Sequence, residues 1–507
     1  MKSDKFTDTT LEKDPNFING DVTILSPKQK GKTKKIIKSQ KFDSKNTNTK
    51  KVYIESYGCQ MNFSDREIVA SILSEQGFIN TDKISSADLV LINTCSIRDK
   101  AEKTVRNRLH HFNSFKEKNR SLKIGIMGCM AERLKEKLLE EEKIVDLVVG
   151  PDAYKDFPKL LEEIEKDREA INVILSKEET YGDINPVRIN SNGVGAFVSI
   201  MRGCDNMCTF CVVPYTRGRE RSRDPKSILK EINQLSKESY KEVTLLGQNV
   251  DSYLWFGGGP KKDFKKASLL QKKTAVNFSK LLSLVASEHP KMRIRFSTSN
   301  PQDMSIDVIK TMSKYENICN HIHLPVQSGS NSILEKMNRK HTREEYIELI
   351  DKIKKIIPNC GISHDMIAGF PDENEKDHKD TLSLMEYIKY DFGFMFSYSE
   401  RPGTPAAKKM KDNIPEETKK RRLQEIIDLQ QLHSKYRLNL MIGKKVCVLI
   451  EKSSKRSDKF WSGRTSQNNV VVFPKENYSV GDFVDVVIKE ATSATLKGNA
   501  VAISSNI

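Results

Sequence analysis

The chain has 507 residues, and its 85 Lys and Arg outnumber 68 Asp and Glu to give a formal charge of +17. No apolar run approaches the ~18 residues that span a bilayer, and the polar start MKSDKFTDTTLEKD has no apolar h-region, so a membrane protein and a secreted disulfide scaffold are set aside. The nine cysteines then read as cytosolic thiols open to metal, and the basic excess is a footprint for a polyanion, usually nucleic acid.

In chain order, residues 1–49 are expected to be a disordered basic leader. The run 28–50 (KQKGKTKKIIKSQKFDSKNTNTK) is Lys-rich, polar and poor in aromatics. Residues 50–165 alternate strand and helix. The run 51–57 (KVYIESY) is a strand pattern, and Ser64 and Asp65 are suited to cap a helix whose apolar stripe is Ile68, Val69, Ile72 and Leu73, stopped by Gly77. A buried-length strand at 87–93 (ADLVLIN) leads to a helix with Ala101, Val105, Leu109 and Phe112 on one side. Strand 122–127 (LKIGIM), a helix bearing Leu134, Leu138 and Leu139, and strand 144–149 (IVDLVV) complete a pattern that predicts a parallel α/β sheet.

Each of the first three strands ends in a cysteine: Cys59 in YGC, Cys95 in NTC and Cys129 in MGC. Ligands of open parallel sheets gather beyond the carboxyl ends of the strands, so three such thiols are expected to converge on a metal. Three unrelated core thiols are the plainer alternative, but the repetition in consecutive units favours the metal site.

Residues 166–189 are expected to be a linker, followed by a second strand–helix series at 190–437. Strand-like runs at 197–201, 242–246, 293–297, 321–325, 363–368 and 392–398 suggest a partial (β/α) barrel of six units. Just after its first strand lies CDNMCTFC, with Cys204, Cys208 and Cys211 in a C-x3-C-x2-C spacing. Three thiolates so close together suit three irons of a four-iron cluster, whose fourth iron is left open for a substrate or cofactor. A zinc knuckle is the alternative, but closed structural zinc wants four ligands, and the next cysteine downstream is Cys319. Residues 415–440 form a polar connector helix. Residues 438–505 then turn β-rich, with five short runs that predict a small closed or OB-like barrel, either a grip for oligonucleotide or a structural cap.

From Val52 to Ala502 the chain resembles the radical S-adenosylmethionine methylthiotransferases. The resemblance is carried by ESYGCQMNFSDRE, NTCSIRDKAE, GCMAER, MRGCDNMCTFCVVPYTRGRERSR, LLGQNVDSY, HLPVQSGS and FSYSERPGTPAA, and the C-terminal barrel is similar to the family's TRAM domain, with GRT at Gly463–Thr465. The runs VVPYTRGRERSR and NTCSIRDKAE look like the branch acting on isopentenyl-adenosine beside the tRNA anticodon. Sister branches act on threonylcarbamoyl-adenosine of tRNA or on an aspartate of a ribosomal protein. A non-catalytic, metal-stabilised RNA-binding protein is the rival of another class.

The resemblance implies two [4Fe-4S] clusters and S-adenosylmethionine. Cys204, Cys208 and Cys211 would hold the radical cluster, which generates a 5′-deoxyadenosyl radical to remove hydrogen from C2 of the adenine. Cys59, Cys95 and Cys129 would hold an auxiliary cluster that delivers sulfur, and a second S-adenosylmethionine would supply the methyl group. Gln248, Asn249, Ser297 and Glu373 are the expected cofactor contacts, because polar groups at barrel strand ends suit ribose and carboxylate. Arg217, Arg219, Arg221 and Arg223 are expected near RNA phosphates, with Arg464, Trp461 and Phe473 as further contacts, though Phe473 suits a core equally. His321 and His323 are taken as ordinary barrel residues, and Cys319, Cys360 and Cys447 as core thiols. The expected partners are a tRNA anticodon stem-loop and a flavodoxin- or ferredoxin-type reductant, for a cytoplasmic monomer.

Overall fold

A computed structural model describes residues 49–95, 99–166, 168–189 and 191–505, so the expected leader lies almost wholly outside the described residues. The first layer is a six-stranded parallel sheet of β1 (Lys51–Ser56), β2 (Ile79–Asn80), β3 (Leu89–Asn93), β4 (Lys123–Met127), β5 (Leu147–Val149) and β6 (Ala170–Asn172), in the order β2-β1-β3-β4-β5-β6. Two strands escape the sequence pattern because they are only two and three residues long, and β6 falls in the stretch expected to be a linker. Alternate residues of β3 serve opposite faces: Leu89 and Leu91 join one apolar cluster, Val90 and Ile92 the other. Such burial on both sides is what a parallel sheet requires, at about 1.5–3 kcal/mol for each large side chain taken from water.

The first helix runs Gln60–Glu75 and is capped by Cys59, not by Ser64 or Asp65. Both expected caps are instead buried within the helix, Asp65 completely so. The helix foreseen around Leu134–Leu139 splits into Cys129–Leu134 and Lys137–Glu141, because Lys135 takes a left-handed φ of 52° that ends the first piece.

The second layer holds β7 (Gly195–Ser199), a short antiparallel ribbon of β8 (Met201–Arg202) with β9 (Arg221–Ser222), β10 (Glu242–Leu246), a second ribbon of β11 (Leu254–Trp255) with β12 (Val276–Asn277), then β13 (Arg293–Ser297), β14 (His321–His323), β15 (Gly361–Ala368) and β16 (Phe392–Ser397). Its six long-axis strands are parallel, in the groups β7-β10-β13 and β14-β15-β16. A bridge from Ile294 to Ile318 joins the groups, giving the partial barrel the sequence predicts. Val243, Leu245, Ile294, Ile322, Ile362 and Met366 point outward into the largest core, under the helices.

The connector helix Glu416–Asn439 packs along β16 and leads to β17 (Lys445–Ser453), β18 (Phe460–Arg464), β19 (Val470–Pro474), β20 (Phe483–Ala491) and β21 (Leu496–Ile503), closed in the order β17-β18-β19-β21-β20. Its turn after β18 docks on the amino-terminal mouth of the larger barrel. Arg293 donates to the Arg464 carbonyl at 2.7 Å, Arg295 to the carbonyls of Thr465 at 2.7 Å and Ser466 at 3.1 Å, and the Asn320 amide to Ser466 Oγ at 2.8 Å. Among the described residues, no helix is long and apolar enough to cross a membrane.

Candidate metal centres and their shared seam

The strand-end cysteines are placed by turns that only particular residues allow. Gly58 (φ 107°) and Gly128 (φ 90°) take left-handed conformations just before Cys59 and Cys129. A Cβ on Gly58 would lie 2.5 Å from Cys95 Cβ, and one on Gly128 would lie 2.5 Å from Asn93 Oδ1, so the turns after β1, β3 and β4 press on one another. Asn93 Nδ2 donates to the Asn62 carbonyl at 2.6 Å, and Asn62 Nδ2 to the Tyr57 carbonyl at 2.7 Å, tying the turns after β1 and β3 together, while the Thr94 amide donates to the Met127 carbonyl at 3.2 Å beside the turn after β4. Cys95 and Cys129 are buried and Cys59 opens to solvent.

The second triad sits at the carboxyl end of the partial barrel. Gly203 (φ 79°) starts the loop, and a Cβ there would stand 2.0 Å from the Arg219 carbonyl oxygen. Gln248, just past β10, accepts the Gly203 amide at 2.7 Å. Further along, the Thr209 amide donates to the Met337 carbonyl at 3.0 Å, Asn338 Nδ2 to the Met207 carbonyl at 2.9 Å and the Ala406 amide to the Thr209 carbonyl at 2.9 Å. Phe210 packs against the cluster of Ile333, Met337, Phe370, Tyr398 and Ala406. The loop is thus held by the barrel rim on several sides.

Its thiols feel one another. Burial pushes Cys204 up, with Cys211 the next cause; burial and then Cys208 push Cys211 up to about 12. Thiols raised in this way by burial and by a neighbouring thiol suit a cation or cationic cluster that takes them as thiolates. Among the described residues, no three Cys, His, Asp or Glu side chains close into a set for one metal ion. Three thiols within eight residues supply the three ligands that a four-iron cluster with one open iron takes, whereas closed structural zinc takes four.

Between the triads runs a seam of buried charge. Arg217, after the short helix Val213–Thr216 that follows Cys211, crosses to the first layer. Its Nε donates to Cys129 Sγ at 3.2 Å, and its Nη2 to Asn62 Oδ1 at 3.0 Å and Asp65 Oδ2 at 2.8 Å. Arg202 takes the other oxygen of Asp65 and lies 4.6 Å from the Tyr181 ring centroid. Arg221 pairs with Asp152 and donates to the Glu179 carbonyl at 2.7 Å. Arg223 pairs with Glu231, which Arg188 links at 2.5 Å and then on to Glu67 at 2.6 Å.

The seam holds several of the arginines expected near RNA. Arg217 and Arg221 are 2% and 1% exposed, and Arg223 is also buried; their guanidinium groups serve carboxylates and carbonyls inside the protein, leaving no face for phosphate. Arg219 remains half-exposed beside Asp205 at 3.3 Å. Arg464 is held by Glu451 at 2.7 Å, with its carbonyl committed to Arg293. Trp461 is partly buried, with Lys475 Nζ 4.0 Å from its ring centroid, and Phe473 is core. Sequence reasoning also missed an exposed basic flap. It leaves the loop region at a bridge between Arg221 and Pro260, and carries Lys262, Lys265, Lys266, Lys272 and Lys273 to solvent. The signal was present as a Lys-rich run just after the glycines at 257–259.

Among the expected cofactor contacts, Gln248, Asn249 and Ser297 lie on the rim that carries the cysteine loop. Asn249 is buried, donates to Asp303 at 2.7 Å and leaves its own Oδ1 without a partner. Glu373 does not belong with them: it is buried, accepts from the Gly369 amide and from Arg422, both at 3.0 Å, and so anchors the connector helix. His321 and His323 share Ser363 Oγ at 3.0 and 2.9 Å, and His323 faces Asp365 at 3.3 Å. Cys319 and Cys360 are buried and Cys447 is half-buried.

Residues 51–150 match the family described as uncharacterized protein family UPF0004, residues 198–385 the radical SAM superfamily and residues 439–501 the TRAM domain. A superfamily match of this kind implies a [4Fe-4S] cluster and S-adenosylmethionine. The chain is similar to the tRNA-2-methylthio-N(6)-dimethylallyladenosine synthase of Christiangramia forsetii, with 70% identity over 92% of this chain and 97% of that one. The protein of the same name from Flavobacterium johnsoniae is 66% identical over 92% and 96%, and that from Bacteroides fragilis 52% identical over 89% and 96%. Among solved structures, the radical S-adenosylmethionine methyltransferase TsrM of Kitasatospora setae shares the fold at 12% identity, with a TM-score of 0.51 over 71% of this chain and 75% of that one. With these identities over nearly the whole of each relative, and with both thiol sites and the terminal barrel in place, the chain belongs to the tRNA-2-methylthio-N(6)-dimethylallyladenosine synthases, a family of radical S-adenosylmethionine enzymes.

Proposed function

We propose that this protein converts N6-dimethylallyl-adenosine, at position 37 beside the tRNA anticodon, to its 2-methylthio derivative. The observation that carries the reading is the joining of two three-thiol sites at one seam, with Arg217 leaving the Cys211 side and ending on Cys129. Cys204, Cys208 and Cys211 would hold the radical cluster, and Cys59, Cys95 and Cys129 the auxiliary one. When bound, these groups and S-adenosylmethionine supply hydrogen abstraction at the adenine C2, the inserted sulfur and the methyl group.

The chain's own residues position this chemistry. Gln248 fixes the entrance of the radical loop through the Gly203 amide, while Asn249 and Ser297 offer polar groups at neighbouring strand ends. The buried arginine–carboxylate seam keeps the sulfur-bearing site beside the radical site, a proximity a two-stage reaction at one carbon needs. Unpaired anticodon-loop bases splay readily into a protein pocket, and the lysine flap next to β9 presents charge to the stem phosphates. A flavodoxin- or ferredoxin-type protein is the reductant in this reading, and the protein works as a monomer in the cytoplasm.

The test is an anaerobic assay of reconstituted protein with S-adenosylmethionine, a reductant and dimethylallyl-modified tRNA, read by mass spectrometry of nucleosides. A new 2-methylthio nucleoside is the expected product. Modification only of threonylcarbamoyl-adenosine tRNA or of a ribosomal-protein aspartate would overturn the substrate. Zinc in place of iron, with no S-adenosylmethionine cleavage, would overturn the enzyme reading altogether.

A further inference from the structure

We propose that Arg217 tunes the Cys59–Cys95–Cys129 site electrostatically, acting as a positioning residue that hydrogen-bonds the Cys129 sulfur and aims its remaining N–H at sulfur held there. This rests on the reading that the strand-end triad carries a cluster.

Arg217 is 2% exposed, and its partners are unequal. Nε reaches Cys129 Sγ at 3.2 Å and Nη2 reaches Asn62 and Asp65, but Nη1 is buried with no partner. An unsatisfied buried donor is costly, the more so when charged. The sulfide and thiolate sulfurs of a cluster accept such hydrogen bonds and respond to them in potential. The charge is also unbalanced in the required direction. Asp65 is shared by Arg202 and Arg217, so one positive charge is left over beside Cys129, and the nearby Arg221–Asp152 pair is neutral.

The radical site has a comparable contact. Arg339 Nη1 lies 3.6 Å from Cys208 Sγ, and its Nε is also buried without a partner. Arg217 differs in origin: it comes from the polypeptide just past Cys211, with its amide bonded to the Val213 carbonyl at 2.8 Å. One guanidinium thus links the chain just past Cys211 to the strand-end site.

A nearby positive charge and N–H···S bonds stabilise the more reduced, more negative form of a cluster, so they raise its potential. The experiment uses the Cys204→Ala/Cys208→Ala/Cys211→Ala protein, in which only the strand-end triad is left, alone and with Arg217→Met or Arg217→Lys. After anaerobic reconstitution, iron and sulfide are counted and the midpoint is read by a redox titration followed by electron paramagnetic resonance. The Arg217→Met protein is expected to titrate at a more negative potential, with a tenfold or larger change in the ratio of oxidised to reduced cluster at fixed potential, 59 mV for one electron. Arg217→Lys keeps the charge for Asp65 but loses the fork, and is expected to shift part of the way. It also decides the matter if the Met variant does not fold around iron. Unshifted midpoints in cluster-bearing variants overturn the role of Arg217. Absence of iron and sulfide from the parent triple variant overturns instead the cluster reading on which it rests.

Discussion

The two thiol sites reach a similar donor set by opposite routes. Cys204, Cys208 and Cys211 belong to one loop, shaped by Gly203 and Met207 in left-handed conformations and stapled to the barrel rim by main-chain hydrogen bonds. Cys59, Cys95 and Cys129 come from three separate turns, and their mutual placement depends on the parallel register of β1, β3 and β4. A loop site is specified by short-range sequence; a strand-end site exists only once a sheet has formed. The first is held in place by the barrel rim, and the second is linked across the layers by the seam of charge.

Removing each triad separates the two most sharply. Cys59→Ala/Cys95→Ala/Cys129→Ala is expected to lower iron from about eight to about four per chain, as two four-iron sites require. S-adenosylmethionine cleavage should persist while the methylthio nucleoside disappears. Replacing Cys204, Cys208 and Cys211 should abolish cleavage and product together. Iron and sulfide analysis, with 5′-deoxyadenosine and nucleosides read by mass spectrometry, checks both arms. Equal iron in the native and first variant proteins would remove the strand-end site from the comparison.

The charges that hold each site are expected to differ as strongly. Asp65→Asn leaves Arg202 and Arg217 buried without their carboxylate. Breaking a buried pair in this way typically destabilises by about 3–5 kcal/mol. Asp205→Asn, beside the half-exposed Arg219 of the radical loop, should change stability by no more than about 1 kcal/mol. Anaerobic urea unfolding of the two variants measures the contrast; equal losses would mean that the seam is no more a support than the surface pair.

How much of this was legible depended on distance along the chain. The strand–helix order and the strand-end position of three cysteines follow from local patterns, and so do the five strands of the terminal barrel. The cap of the first helix was misplaced because cysteine is an unusual cap, whereas Ser64-Asp65 has the preferred composition. Arg217 and Arg221 looked like RNA contacts because a basic run reads as a solvated face when its partners are unknown. Those partners, Asp65 and Asp152, lie in another layer, and no periodicity links them to the arginines. Glu373 misled for the same reason: its partner Arg422 stands on the connector helix.

With the arginines taken inward, the lysine flap becomes the test of where RNA approaches the shared seam. Lys265→Glu/Lys266→Glu should weaken binding of the anticodon stem-loop and flatten its salt dependence, since each phosphate contact contributes a slope of about −0.9 in log K against log salt on duplex nucleic acid. Cleavage of S-adenosylmethionine without RNA should be unchanged, because both side chains are exposed to solvent on the flap, outside the cysteine loop. Unchanged affinity and slope in a filter-binding titration would place the RNA elsewhere.

The last contrast separates the sites by pH. Glu132, one turn beyond Cys129, is 2% exposed, with Oε2 unpartnered and Lys135 Nζ 3.8 Å from Oε1. Burial pushes its carboxyl up to about 8 against the weaker opposing pull of Lys135. The unfolded chain ionises this group near 4.5, so between roughly pH 4.5 and pH 8 the folded state binds the extra proton and loses stability as pH rises. Glu132→Gln cannot ionise and should remove that slope. Relative to the native protein it should therefore gain more stability at pH 8.5 than at pH 5 in anaerobic urea titrations. An identical difference at the two pH values would show that Glu132 is not held protonated beside the strand-end site.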